Sequence, residues 1–199
     1  MMHDDAVLLV HDVVNDFMDD TDSALFAALA NIRTLLAAAR AAALPVVFAA
    51  PGPGDPTIGP PTTKPPGERL VWGTAGVDVP ASIGVLPGDT IVRKPRFGAF
   101  FGSAFGDYLR QVERDTVIVC GLSLAGGVET TVRDAYNRDL RSIIVADACL
   151  CRAVSDQGWG SLTAEEVAKV TLSVLAQRFA RIASTAEIRD ELRSRSGAR

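Results

Sequence analysis

Three places in this 199-residue chain carry residue types that could do chemistry together. Asp12 follows the apolar run Ala6 to Val10 and His11, Lys94 follows Thr90 to Arg93, and a glycine-rich turn from Gly121 to Gly127 follows the β-branched run Val117 to Val119. A carboxyl group can move a proton, an ammonium group can hold an anion, and the free backbone N–H groups at a helix start can receive an oxyanion. Taken singly, each feature has a plainer explanation: a loop cap, a solvated charge and turn geometry. Their shared placement at the ends of successive strands favours a site. A nucleophile mounted on the glycine-rich turn would stand at the mouth of that site, and the position holds Gly127.

The elements that must position these residues follow from periodicity. Short continuous apolar runs at Ala6 to Val10, Pro45 to Ala49, Thr90 to Arg93, Val117 to Val119 and Arg141 to Ala146 predict buried strands, with Ile182 to Ser184 a short edge strand. Between them, Ser23 to Ala43, Phe105 to Val112, the stretch through Thr131, Val132 and Ala135, and Ala186 to Ser194 read as helices. Another helix starts at a capping box, Thr163 with Glu166, and presents Val167, Val170, Leu172, Val174, Leu175 and Phe179. Strands alternating with helices predict a parallel sheet covered on both faces, whose carboxyl ends share one edge. Pro51 to Gly67 holds seven of the eleven prolines and cannot be regular structure; it is a binding loop or lid, or else a solvated excursion.

The length suits one domain, 1–199. A net charge of −4 gives no basic footprint, so nucleic acid is not expected as a partner. No apolar run approaches the roughly 20 residues that cross a bilayer, and the first residues lack a positive segment followed by a long apolar core. A cytoplasmic protein without membrane contact is expected. The three cysteines lack zinc-finger spacing, and two histidines, His3 and His11, leave little for a histidine triad or metal centre. No metal or other cofactor is expected. Trp72 and Trp159 are candidates for the cleft wall or for plain packing.

The segment LLVHDVVNDF resembles the opening strand of the isochorismatase-like hydrolases, which include nicotinamidases, N-carbamoyl amidohydrolases and isochorismatases. VRKPRFGAFFGS is similar to that family's lysine segment. CGLSLAGGVETTVRDAYNRDLRSIIVADA is similar to its nucleophile turn, helix and following strand, and GWGSLTAEEVAKVTLSVLAQRFARIAST extends the likeness. The resemblance implies a Rossmann-like, three-layer α/β/α fold with a six-stranded parallel sheet, in a homodimer or homotetramer. Carried over by position, it makes Asp12 the catalytic aspartate and Lys94 the catalytic lysine, and it puts Gly127 where the family has its cysteine. Leu122 and Ser123 match the neighbourhood of a cis peptide that in the family orients backbone donors towards the substrate oxygen. The candidate substrate contacts are Phe17, Arg96, Phe97, Phe100, Leu122, Ser123, Gly126 and Gly127. Val14 stands in place of a usual glutamine, and no His pair or carboxylate cluster follows the second strand as in the nicotinamidase metal site.

Glycine offers no nucleophile, and Cys120 lies seven positions earlier within the predicted strand. The isochorismatase branch, which this chain resembles in its HD pair, hydrolyses a vinyl ether without a thiol: an aspartic acid protonates the enol-ether carbon and water adds to the oxocarbenium ion. For that role Asp12 must hold a proton. Burial beside Phe17, Phe97 or Phe100 favours the acid, whereas contact with Lys94 favours the carboxylate. In that branch a glutamine stands where this chain has Pro51, and Arg69 or Arg96 could replace its arginine. The expected function is cysteine-independent hydrolysis of a small anionic metabolite such as isochorismate or a related vinyl ether. An amidohydrolase using activated water, and a non-catalytic binding or assembly member, are the alternatives.

Overall fold

The computed structural model describes residues 5–18, 22–52, 70 and 72–196. Six strands, β1 (Ala6–His11), β2 (Val46–Pro51), β3 (Thr90–Lys94), β4 (Thr116–Leu122), β5 (Arg141–Leu150) and β6 (Arg181–Ala183), form one parallel sheet in the order β3-β2-β1-β4-β5-β6. The β-branched and aliphatic runs of the inner strands β2, β1, β4 and β5 are buried on both faces, as a parallel sheet covered by crossover helices requires, whereas Ile91 on the edge strand β3 is exposed. Along β1 the side chains alternate between two cores. Ala6, Leu8 and Val10 pack with α1 (Ser23–Ala41) and, further along the sheet, α5 (Thr185–Ser196). Val7 and Leu9 pack into the layer of α2 (Phe105–Gln111), α3 (Glu129–Tyr136) and α4 (Ala164–Ala176). This is the expected three-layer α/β/α arrangement.

Local sequence sets the helix starts. Asp22 caps α1 by accepting from the amides of Ala24 and Leu25, and the capping box of Thr163 and Glu166 opens α4. By length and composition alone α1 could cross a membrane, although no such apolar run was expected. Its buried face of Leu25, Leu29, Ile32, Leu35 and Leu36 belongs instead to the core under the sheet.

Several boundaries differ from the sequence reading. β5 does not stop at Ala146 but continues to Leu150, with a register shift against β4 between Val119 and Gly121. Asp147 therefore lies within the strand, where its carboxylate accepts from the amide and hydroxyl of Thr185 at 2.8 and 2.9 Å and fixes the start of α5. β6 begins one residue early, at Arg181. Most of the proline-rich segment, with Arg69, falls outside the described residues, and so does the expectation that it forms a lid.

Candidate active site

β1 and β4 are neighbours, yet the chain leaves β1 towards β2 and β3 on one side, and leaves β4 towards β5 and β6 on the other. The connections diverge there and open a crevice at the carboxyl edge, the usual ligand position in open α/β sheets. Asp12 lies at this point directly after β1, with φ 50° and its amide bonded to the Ala49 carbonyl at 2.8 Å. A left-handed conformation is uncommon outside glycine and better tolerated by aspartate than by most residues.

Lys94 ends β3, two strands and roughly 10 Å away by strand spacing. Its stem crosses the end of β2 and places Nζ 2.8 Å from Asp12 Oδ2 and 3.0 Å from the Arg96 carbonyl. The pair is withdrawn from water, with side-chain exposures of 3% for Lys94 and 11% for Asp12. Asp12 Oδ1 is buried and has no hydrogen-bond partner among the described residues. One carboxylate oxygen is thus held by the ammonium, and the other is left without a partner among the described residues.

His11, the last residue of β1, is fully buried on the α2–α3 side. Its Nδ1 lies 2.9 Å from the Leu122 carbonyl and its Nε2 2.9 Å from the Phe97 carbonyl, and Nδ1 is 3.4 Å from Asp12 Oδ2. Desolvation lowers the His11 pKa, helped by Lys94 and opposed by Asp12 and the two carbonyls. The neutral ring donates to one carbonyl and turns its bare nitrogen to the other, so packing as well as hydrogen bonding fixes it. That packing is tight against Gly127: a Cβ there would lie 2.1 Å from the His11 Cε1 and under 3 Å from both ring nitrogens.

The turn is assembled around these groups. Gly121 has φ +121°, and a Cβ on it would lie 2.1 Å from the His11 carbonyl oxygen, so the close approach of β4 to β1 requires glycine. The Leu122–Ser123 peptide is cis. A single π turn, Leu124–Val128, follows, in which the amides of Gly126 and Val128 both donate to the Ser123 carbonyl. Thr131, buried on α3, donates to the Gly127 carbonyl at 2.7 Å and accepts from the Ala99 amide at 3.0 Å. It fastens the turn to the segment that follows Lys94.

The structure therefore brings together Asp12, Lys94, the Arg96 carbonyl, Leu122 and Gly127. Other candidates are placed differently. The Phe100 ring packs 4.9 Å from that of Phe105 and under the Arg138 guanidinium, so it belongs to the core and not to an open cleft wall. Phe17 is half-buried against the α1-side core, and Phe97 is largely exposed, contributing its carbonyl to His11. The Arg96 guanidinium turns back onto the Pro95 carbonyl. Trp72 stacks with the Arg93 guanidinium, and Trp159 is almost wholly exposed, so neither is core packing. A cavity of about 650 Å³, lined by Thr116, Arg141 and Arg181, opens at the amino ends of the strands, the edge opposite Asp12.

All three thiols are held in the protonated form. Burial raises Cys120 well above the ordinary value, pushes Cys149 up to about 12, and raises Cys151, which lies against the Ala125 amide. Sequence reasoning missed the roles of His11 and Thr131. The pairing of a histidine before Asp12 with glycine at 127 is the signal that could have found the first.

A six-stranded parallel α/β fold with a buried acid and ammonium at its switch point defines a member of the isochorismatase-like group. The chain belongs to that family: the isochorismatase domain matches residues 6–187. Among relatives, it is 31% identical over 154 residues to a probable isochorismatase from Pseudomonas chlororaphis, covering 72% of this chain and 70% of that one. It is 30% identical over 138 residues to ureidoacrylate amidohydrolase RutB from Pseudomonas syringae pv. syringae (strain B728a), covering 60% of this chain and 56% of that one. The chain spans about half the length of several of the curated relatives it matches. A cysteine hydrolase from Pseudomonas syringae pv. phaseolicola 1448A superposes with a TM-score of 0.87 at 26% identity, over 96% of this chain and 93% of that one.

Proposed function

We propose that this chain is a hydrolase that works without a thiol, cleaving a vinyl ether on a small anionic metabolite such as isochorismate. One observation carries the reading: the space above Gly127, where the family resemblance puts a nucleophile, is filled by the His11 ring, beside an Asp12 carboxyl whose Oδ1 has no hydrogen-bond partner among the described residues. In this reaction Asp12 gives its proton to the terminal enol-ether carbon, and the ether oxygen supplies the electron pair that makes an oxocarbenium ion. Water adds to that ion and returns a proton to Asp12, and the resulting hemiketal collapses to a ketone and an alcohol. Lys94 stabilises the carboxylate left after the first step.

The similarity to the probable isochorismatase supports this reading. The similarity to the ureidoacrylate amidohydrolase favours a second, in which Asp12 activates water to attack an amide or ureido group. Turnover of isochorismate and of an N-carbamoyl substrate by the wild type and by Asp12→Asn separates them. The first reading expects vinyl-ether cleavage that the substitution abolishes; equal rates in the two proteins discard Asp12 as the acid. Turnover of the N-carbamoyl compound alone selects the second reading, and no turnover of either selects a binding protein.

A further inference from the structure

The reaction just described uses Asp12 and Lys94 and gives no task to His11, although His11 is more deeply buried than either. Its ring is inserted where three segments meet. On one side Nδ1 faces the carbonyl of Leu122 at the end of β4; on the other Nε2 faces the carbonyl of Phe97, one residue beyond the Arg96 carbonyl that receives Lys94. Underneath lies Gly127, with no room for even one more carbon. Thr131 binds the same two segments from the α3 side, through the Gly127 carbonyl and the Ala99 amide. The imidazole and the missing side chain therefore fill one volume between them, and only one of two arrangements fits: a ring on residue 11, or a side chain on residue 127.

We propose that His11 is the positioning residue of this site, and that His11 and Gly127 form one steric unit that commits the site to water in place of a side-chain nucleophile. The ring holds the Phe97 and Leu122 carbonyls apart at a fixed distance. Lys94 thereby keeps its second acceptor, and the ring stays beside Asp12 Oδ2. A side chain on residue 127 would evict the ring, release both carbonyls and loosen the segment after Lys94. The steric half of the proposal stands on packing alone; only the catalytic half rests on the hydrolase reading.

The first test needs no substrate. Uniformly ¹⁵N-histidine-labelled protein carrying His3→Gln reports His11 alone, since the chain has two histidines. A slowly exchanging imidazole N–H resonance is expected, and Gly127→Ala should abolish it while the backbone amide spectrum stays folded. Because Gly127→Ala could fold poorly, a thermal double-mutant cycle with His11→Ala accompanies it. Each single substitution should lower Tm, and the double variant should be no less stable than His11→Ala, because the added methyl enters the space the ring has left. Retention of the N–H resonance in Gly127→Ala, or strictly additive Tm losses, overturns the steric unit. The second test uses whichever substrate the wild type turns over. His11→Ala should lower kcat by about 100-fold with KM changed much less, as a misplaced acid does. An unchanged kcat overturns the positioning role while leaving the reading of Asp12 intact.

Discussion

Replacing Lys94 by methionine removes the ammonium while keeping the length and apolar bulk of the stem. Nζ lies 2.8 Å from Asp12 Oδ2, and the two side chains are only 3% and 11% exposed, so the carboxylate loses its ammonium partner in a place water hardly reaches. Oδ1 already lacks a hydrogen bond among the described residues. Removing one member of a buried ion pair costs about 3–5 kcal/mol, because the other is left as an uncompensated charge. For a chain of this size each kcal/mol moves Tm by roughly 2–4 °C, so Lys94→Met should melt on the order of 10 °C lower. Urea titration followed by far-ultraviolet circular dichroism measures the free energy, and scanning calorimetry the shift. Adding Asp12→Asn should recover much of the loss, since the orphaned charge is then gone. A loss below about 1 kcal/mol, the range of an exposed pair, would refute the buried coupling.

Acidification should act through His11. Its pKa is held below the ordinary 6.5 by burial, so the unfolded chain binds the proton more readily; stability is full above 6.5 and falls as the pH drops through that value towards the lower folded one. His11→Ala, with Asp12 and Lys94 still facing the position, should flatten this slope in urea titrations between about pH 7 and 5, and an unchanged slope would contradict the assignment. Thr131→Val removes the hydroxyl that joins Gly127 to Ala99 and takes the acceptor from the buried Ala99 amide; we expect a loss of about 1–3 kcal/mol by denaturant titration, and a neutral result would show the link to be idle. A variant combining Cys120→Ala, Cys149→Ala and Cys151→Ala should keep turnover within about tenfold of the wild type, whereas abolished turnover in a folded variant would return a thiol to the chemistry.

The sheet was legible because its strands are continuous apolar runs, and β-branched sequences such as Val117 to Val119 have little choice but a buried strand. Asp12 and Lys94 were legible for a related reason: polar residues at strand ends must gather at one edge of a parallel sheet. The far end of β5 was not, since Asp147 reads as a stop and only the tertiary bond to Thr185 shows why a carboxylate is tolerated inside the strand. His11 was hidden similarly. A histidine at a strand end looks like any polar terminus, and its meaning depends on a glycine 116 positions later whose missing side chain makes room for the ring. Phe100 illustrates the opposite error: an aromatic near a candidate site is as easily core, and the α2–α3 layer claims it.

Isotope labelling tests the central chemistry most directly. Hydrolysis of isochorismate in D₂O, quenched after a single turnover, reveals where the acid's proton goes. Protonation of the enol-ether carbon by Asp12 predicts one deuterium in the methyl group of the released keto acid, with product absent in Asp12→Asn. A keto acid released without carbon-bound deuterium, or with the same label and rate from Asp12→Asn, would contradict the account.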